Sequence, residues 1–242
     1  MPHTILLRLS APMQSWGVSS RFSIRDSAKE PTKSGVIGLL CAALGISREE
    51  ANTDNPKFAE LLDLKMGVRE LRRGILESDF HTAVNVSKSS GKRPIKDKDS
   101  QYTVISTRYY LADADFVIGL ESEDQTLLEN LQEALKKPKW LLFLGRKSFP
   151  PAEPVFMPEG VGINTNLNSA LAEFVPMNLS ENSEKQRLII EDENGNETVQ
   201  DVPLDFAKGR FSLRRVRTEF FTPKEVIGGD KENGNLSDED NS

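Results

Sequence analysis

Apolar positions along the chain follow two alternating periods, and the switches between them outline the elements. Thr4-Ile5-Leu6-Leu7-Arg8-Leu9 is a run short enough for a buried strand, and Pro12 and Gly17 mark the turn after it. Pro31-Thr32-Lys33-Ser34 then opens a helix through Leu44, with Thr32 or Ser34 placed to cap its free amides and Gly45 suited to a left-handed stop. A second helix is expected over Ser47 to Leu62, irregular near Asn52 to Pro56, followed by a weakly alternating strand from Leu64 to Leu71. Phe80 to Val86 and Gln101 to Leu111 are both strand-like and flank the polar, basic stretch Ser87 to Ser100. That pattern predicts a long hairpin, with a tip of a length that is usually functional or disordered.

Phe116 to Leu120 is a further strand, and Leu127, Leu128, Leu131 and Leu135 share one face of a helix over Thr126 to Lys137. Trp140 to Leu144 is expected to be a strand running into Gly145-Arg146-Lys147-Ser148. Prolines at 150, 151, 154 and 158 mark a shift in composition, after which shorter strands are expected at Leu188 to Ile190, Glu197 to Val202 and Phe211 to Phe221. From Gly228 the chain is Gly, Asn, Ser and acid, a composition that does not support a packed core. The order is that of an α+β, ferredoxin-like βαββαβ domain, the topology shared with RNA-recognition modules, carrying an inserted β-hairpin thumb. The expected division is residues 1–150 for that domain, with the thumb at about 80–111, then a small β-rich C-terminal region over 151–227 and an acidic tail over 228–242.

Composition removes several function classes. One cysteine, Cys41, leaves no intrachain disulfide and no cysteine-based zinc site, and two histidines, His3 and His81, are too few for a histidine-rich metal centre. No metal or other cofactor is expected. The longest apolar stretch, Gly35 to Ile46, has 12 residues, against roughly 20 for a membrane-spanning helix, and no secretory pattern opens the chain, so a cytoplasmic protein without a membrane partner is expected. The net charge of −6 seems to exclude a nucleic-acid partner, but it is unevenly spread. Residues 1–180 hold 22 basic and 22 acidic residues, 181–205 are net −6, 206–227 net +4 and 228–242 net −4. Within the neutral part, residues 136–147 carry 5 basic and no acidic side chains. Such blocks are local surfaces for a ligand or simply solvated faces.

Five places carry candidate chemistry. Lys33, Ser34 and Gly35 combine a cation, a hydroxyl and a glycine at a helix start, which suits a phosphate or an ordinary cap. His81 is a general base for RNA cleavage, a stacking platform or a backbone-bonded strand residue. The thumb gathers Lys88, Lys92, Arg93, Lys96 and Lys98 with Tyr102, Arg108, Tyr109 and Tyr110, cations for phosphates beside rings for unpaired bases. Gly145-Arg146-Lys147-Ser148 is an anion-binding turn or a plain surface turn, and Arg214, Arg215 and Arg217 form a third basic group whose plainest reading is a charge-guarded edge strand.

Five motifs in order resemble one family. Leu7-Arg8-Leu9-Ser10-Ala11-Pro12-Met13-Gln14-Ser15-Trp16-Gly17, Pro31-Thr32-Lys33-Ser34-Gly35-Val36-Ile37-Gly38-Leu39-Leu40, Asp79-Phe80-His81-Thr82, Arg108-Tyr109-Tyr110-Leu111-Ala112-Asp113-Ala114 and Leu144-Gly145-Arg146-Lys147-Ser148 are similar to the CasD family of type I-E Cascade, the CRISPR surveillance complex. The resemblance implies a ferredoxin-like domain with a thumb. It also implies a non-catalytic subunit that binds and caps the 5′ handle of the CRISPR RNA in antiviral defence, contacts the backbone subunit CasC and the large subunit CasA, and meets target DNA only indirectly. A related type I-C branch processes the RNA, so a metal-independent endoribonuclease is the alternative, and a scaffold gripping only protein is a second. With the resemblance added, the expected RNA contacts are Gln14, Trp16, Arg25, Lys33, Ser34, His81, Lys88, Lys92, Arg93, Tyr102, Arg108, Arg146 and Lys147, with Arg108 stacking on handle bases and the thumb tip near the boundary of handle and spacer.

Overall fold

A computed structural model describes residues 1–18, 23–84, 103–162, 165–174 and 185–222. The elements are β1 (His3–Ser10), β2 (Met13–Gln14), β3 (Ile24–Arg25), α1 (Lys33–Leu44), α2 (Pro56–Leu62), β4 (Lys65–Arg72), β5 (Ile75–Val84), β6 (Thr103–Ala112), β7 (Asp115–Ser122), α3 (Gln125–Lys136), β8 (Phe156–Gly162), α4 (Leu167–Glu173), β9 (Gln186–Glu191), β10 (Glu197–Asp205) and β11 (Arg210–Phe221).

The main sheet has the order β10-β11-β9-β4-β7-β1-β8. Its β4-β7-β1-β8 part, with α1 leading from the β1 region to β4 and α3 from β7 to β8, is the split βαβ order expected of a ferredoxin-like domain. Alternation along the strands separates two faces. Ile5, Leu7 and Leu9 of β1 face α1 and α3 in the larger core, together with Val36, Ile37, Leu40, Leu128, Leu131 and Leu135. α1 is apolar almost all round, as a helix covered on several sides must be, and it packs against α3, α2 and β10. Thr32 is its N-cap, accepting from the Gly35 amide, and Gly45 ends it at φ 74°.

The opposite face of the sheet is closed by α4, whose Leu167 and Leu171 lie over the paired Gly67 and Gly119 and join Val117, Leu188 and Ile190 in a second core. A Cβ on either glycine would collide with those leucines. Arg69, fully buried beneath α4, donates to the carbonyls of Leu171 and Phe174 and to Gln186, and its guanidinium lies 4.8 Å from the Phe221 ring centroid. Burial lowers its pKa to about 10.

The sequence expectation differs from the fold in four places. Trp140 to Leu144 is not a strand: the amides of Lys139 and Trp140 donate to the last carbonyls of α1, at Ala43 and Ala42, so this backbone caps a helix instead of entering a ladder. The fourth strand of the split βαβ is β8, beside β1. Of the expected helix from Ser47 to Leu62 only Pro56–Leu62 is helical, because Asn55 caps a new start with Pro56 in its first turn. The strand carrying Arg214, Arg215 and Arg217 is not an edge: β11 is paired on both sides, by β10 and β9.

A second sheet stands apart, with β6 paired to β2, to β3 in parallel and to β5. β5 and β6 form the two arms of the expected hairpin, in register from Ile75 opposite Ala112 to Val84 opposite Thr103. Its tip, with Lys88, Lys92, Arg93, Lys96, Lys98 and Tyr102, and the tail over 228–242 lie outside the described residues.

Candidate nucleic-acid interface

Cross-strand register sorts the second sheet into two faces. On one face of the hairpin stand Glu77, Asp79 and His81 of β5 with Ser106, Arg108 and Tyr110 of β6, Asp79 directly opposite Arg108 and His81 opposite Ser106. Strand β3 adds Arg25 beside Arg108 in parallel register. Arg108 Nε donates to Ser106 Oγ at 3.1 Å, which fixes the stem of the guanidinium along the strand. His81 and Arg25 are exposed and Arg108 is half-buried.

The loop after α3 brings a third arginine to this place. Gly145 sits at φ 93°, in the left-handed region, and a Cβ there would overlap the Ser15 carbonyl oxygen, so only glycine fits the turn. The turn aims Arg146 across β6, where Nη2 donates to the Tyr109 carbonyl at 2.7 Å and the guanidinium lies 5.3 Å from the Phe149 ring centroid. Phe149 in turn meets the Tyr110 ring at 6.0 Å. Burial lowers the Arg146 pKa, repulsion from Arg108 adds to the fall, and Asp79 opposes it. Lys147, next to it, is exposed. Arg25, Arg108 and Arg146 thus converge from three segments, with Asp79 as the carboxylate among them. Guanidinium planes so placed hold phosphates by paired hydrogen bonds and stack on unpaired bases.

Three expected contacts are corrected by burial. Gln14 is fully buried: its amide nitrogen donates to the carbonyls of Leu9 and Ala114, and its oxygen accepts from the Trp16 indole. Trp16 is 1% exposed and lies under α1, where a Cβ on Gly35 would come within 2.7 Å of its ring. Lys33 is 2% exposed, with its ammonium 3.0 Å from Glu191. Its own backbone amide donates to Asp201 at 2.7 Å, so a carboxylate of this chain occupies the anion position at the start of α1. Ser34, half-buried, shares a 3.3 Å hydroxyl contact with Thr32. Gln14, Trp16 and Lys33 are turned inward and offer a ligand little.

The residues also narrow the chemistry. The sheet face that RNA-recognition modules leave open for stacking is covered here by α4, which leaves the second sheet as the accessible platform. The lone thiol of Cys41 is buried and pushed up to about 12, far from a reactive thiolate. Among the described residues no three of His, Cys, Asp or Glu come together as a metal site, and no helix is long and apolar enough to cross a membrane.

The family described as CRISPR-associated protein (Cas_Cas5) matches residues 4–217. This chain belongs to that family. Among known proteins it is similar to the CRISPR system Cascade subunit CasD of Escherichia coli (strain K12), 31% identical over 166 residues, covering 63% of this chain and 69% of the relative. A solved structure described as a crystal structure of a Cas protein matches at a TM-score of 0.71 and 37% identity over 91% of this chain and 95% of its own. A chain from a CRISPR RNA-guided surveillance complex matches at a TM-score of 0.69 and 31% identity over 90% of each. In this Cas5-family chain the sequence reading overlooked Asp79, the carboxylate set against Arg108, and Phe149, the ring under Arg146. The family-like motifs held both neighbourhoods, but only the β5–β6 register and the Gly145 turn join them.

Proposed function

We propose that this Cas5-family chain is a non-catalytic subunit of a type I-E Cascade complex and holds the 5′ handle of its CRISPR RNA on the second sheet, through Arg25, Arg108, Arg146 and Lys147 with His81 alongside. Contacts to the complex's CasC and CasA subunits belong to the same reading, as does indirect contact with target DNA. The observation that carries it is the approach of Arg108 and Arg146, with Asp79 facing Arg108 across the hairpin. Two cations held this close repel one another, and an arriving phosphate turns the repulsion into binding. The likeness to a Cascade subunit and to a surveillance-complex chain supports the same reading. Phe80, exposed on the other face of the hairpin, and the basic residues Lys88, Lys92 and Arg93 with the aromatic Tyr102 belong to the same proposed RNA path toward the spacer.

The test is co-expression of the chain with a full set of Cascade subunits and CRISPR RNA. Arg108→Ala and Arg146→Ala are expected to cut recovered CRISPR RNA about tenfold or more each, with handle protection lost and the fold intact, and with weaker salt dependence of retention. Unchanged RNA recovery and protection would sink the proposal. The purified chain is expected to leave repeat RNA uncut; cleavage that His81→Ala abolishes would make it a processing endoribonuclease instead.

A further inference from the structure

The segment between α3 and the Gly145 turn has no place in the RNA reading, yet it is built with care. The amides of Lys139 and Trp140 are fixed to the carbonyls of Ala43 and Ala42 at 3.0 and 3.2 Å, and the stem of Lys139 packs over Gly45. Leu142 packs against the main core and Leu144 is buried within it. Between these anchors Trp140 is 48% exposed and Leu141 is 88% exposed. A large apolar pair presented on backbone that cannot retract differs from a stray surface leucine. Residues 136–147 hold Lys136, Lys137, Lys139, Arg146 and Lys147 and no acidic residue; Lys136 is paired with Glu133 at 2.6 Å, while Lys137 and Lys139 stand exposed beside the apolar pair.

We infer that Trp140 and Leu141 are the anchors of a protein-docking surface, and that its occupant is another protein subunit of the complex, presenting an apolar pocket rimmed by Asp or Glu. This rests on the proposed Cascade reading for the existence of the complex, not for the chemistry. Leucine has no π face, so an RNA base gains little from Leu141; a protein pocket buries it fully. Tryptophan is the residue type most enriched among binding hot spots, and a rigid display removes the ordering cost that a mobile loop would bring to binding. The lysines match the acidic rim, steering the encounter and fixing its register. The same loop continues into Arg146, so one turn carries an RNA contact at one end and a protein contact at the other.

Leu141→Asp tests this, since an 88% exposed site tolerates the change without unfolding. The complex is purified from cells co-expressing all subunits and CRISPR RNA, and its composition compared with wild type and with Arg108→Ala. Leu141→Asp and Trp140→Ala are each expected to deplete one protein subunit about 30-fold while CRISPR RNA stays bound to the chain. Lys137→Glu combined with Lys139→Glu is expected to deplete the same subunit, and less so at high salt. Wild-type composition with both anchor variants overturns the inference, as does loss of RNA without loss of a subunit. Dimerisation of the isolated chain that Leu141→Asp abolishes also overturns it, assigning the patch to a second copy. If Arg108→Ala is harmless while Leu141→Asp still strips a subunit, the RNA reading fails and the docking surface stands.

Discussion

Replacing Asp201 with alanine is expected to destabilise the chain by about 4 kcal/mol, several times what an exposed ion pair contributes. The structure sets the size. Asp201 is 2% exposed and accepts three donors: the Lys33 amide at 2.7 Å and Arg214 through Nε at 2.6 Å and Nη2 at 2.9 Å. Exposed pairs contribute roughly 0–1 kcal/mol, whereas breaking a buried pair costs about 3–5, because the surviving charge is left without compensation. Here the survivor is Arg214, whose side chain is 7% exposed and whose other partner, Glu191 at 3.6 Å, is already held by Lys33. Two cations would share one carboxylate, and the first amide of α1 would lose its acceptor, a loss of about 1 kcal/mol that overlaps the first. At ~2–4 °C per kcal/mol for a chain of this size, the midpoint should fall by about 10 °C.

Thermal unfolding followed by circular dichroism measures this, with two companions. Asp201→Asn keeps an acceptor for the Lys33 amide and should lose less. The double variant Asp201→Ala with Arg214→Met removes the stranded charge and should recover part of the loss. A shift under ~2 °C for Asp201→Ala, or a double variant no better than the single, would refute the account of a buried charge network. Lys33→Ala belongs to the same experiment: its effect should appear in the melting curve and not as a direct loss of RNA affinity, because its ammonium is turned inward to Glu191.

Two further outcomes follow from other residues. Glu70 has a buried oxygen with no hydrogen-bond partner, and burial holds its pKa above the usual 4.5 in spite of Arg187 and Arg73. Its folded form keeps the proton longer than the unfolded chain, so stability falls as pH rises through that interval; Glu70→Gln should raise the melting midpoint at neutral pH, with the gain vanishing as pH drops below about 4.5. Gly145→Ala should cost about 2 kcal/mol or more and displace Arg146, read as a lower midpoint together with reduced RNA recovery, whereas Lys147→Ala should leave the midpoint unchanged.

Much of the fold is legible in the chain because its elements declare their periods. β1, α1, β7 and α3 each carry an unbroken apolar pattern, and Thr32 and Gly45 punctuate α1 where they should. Trp140 to Leu144 misleads because an apolar run reveals nothing about where its amides go, and these go to a helix end. β8 hides behind Pro158 and two glycines, and its seven residues join the sheet through β1 alone, with a shifted register. The site is legible by residue type more than by role. Gln14, Trp16 and Lys33 are expected as ligand contacts from the family resemblance, but polar and aromatic residues serve a core as well as a ligand. What decides for Gln14 is the pair of carbonyls at Leu9 and Ala114, and for Lys33 the sheet residues Glu191 and Asp201, the latter 168 positions away.

The charge partition then takes a different meaning. Residues 181–205 look like an acidic appendage in the sequence, but Glu191, Asp192, Asp201 and Asp205 are all spent on cations of the fold: Lys33 and Arg214, Arg217, Arg214 again, and Lys208 with Arg210. Most of those cations come from the +4 block that follows, so the later block offsets much of the earlier block's −6 across β9, β10 and β11. A field cancelled at contact distance contributes little beyond a Debye length, about 8 Å at physiological salt. Among the described residues, Arg108, Arg146 and Lys147 with Asp79 and Glu77 contribute to the potential an RNA strand meets at the second sheet, and the net −6 of the whole chain is no measure of it. The paired carboxylates of the acidic segment act inward instead: Asp201 holds the start of α1, α1 packs over Trp16, and the Trp16 indole donates to Gln14, whose backbone pairs with Leu111 of β6.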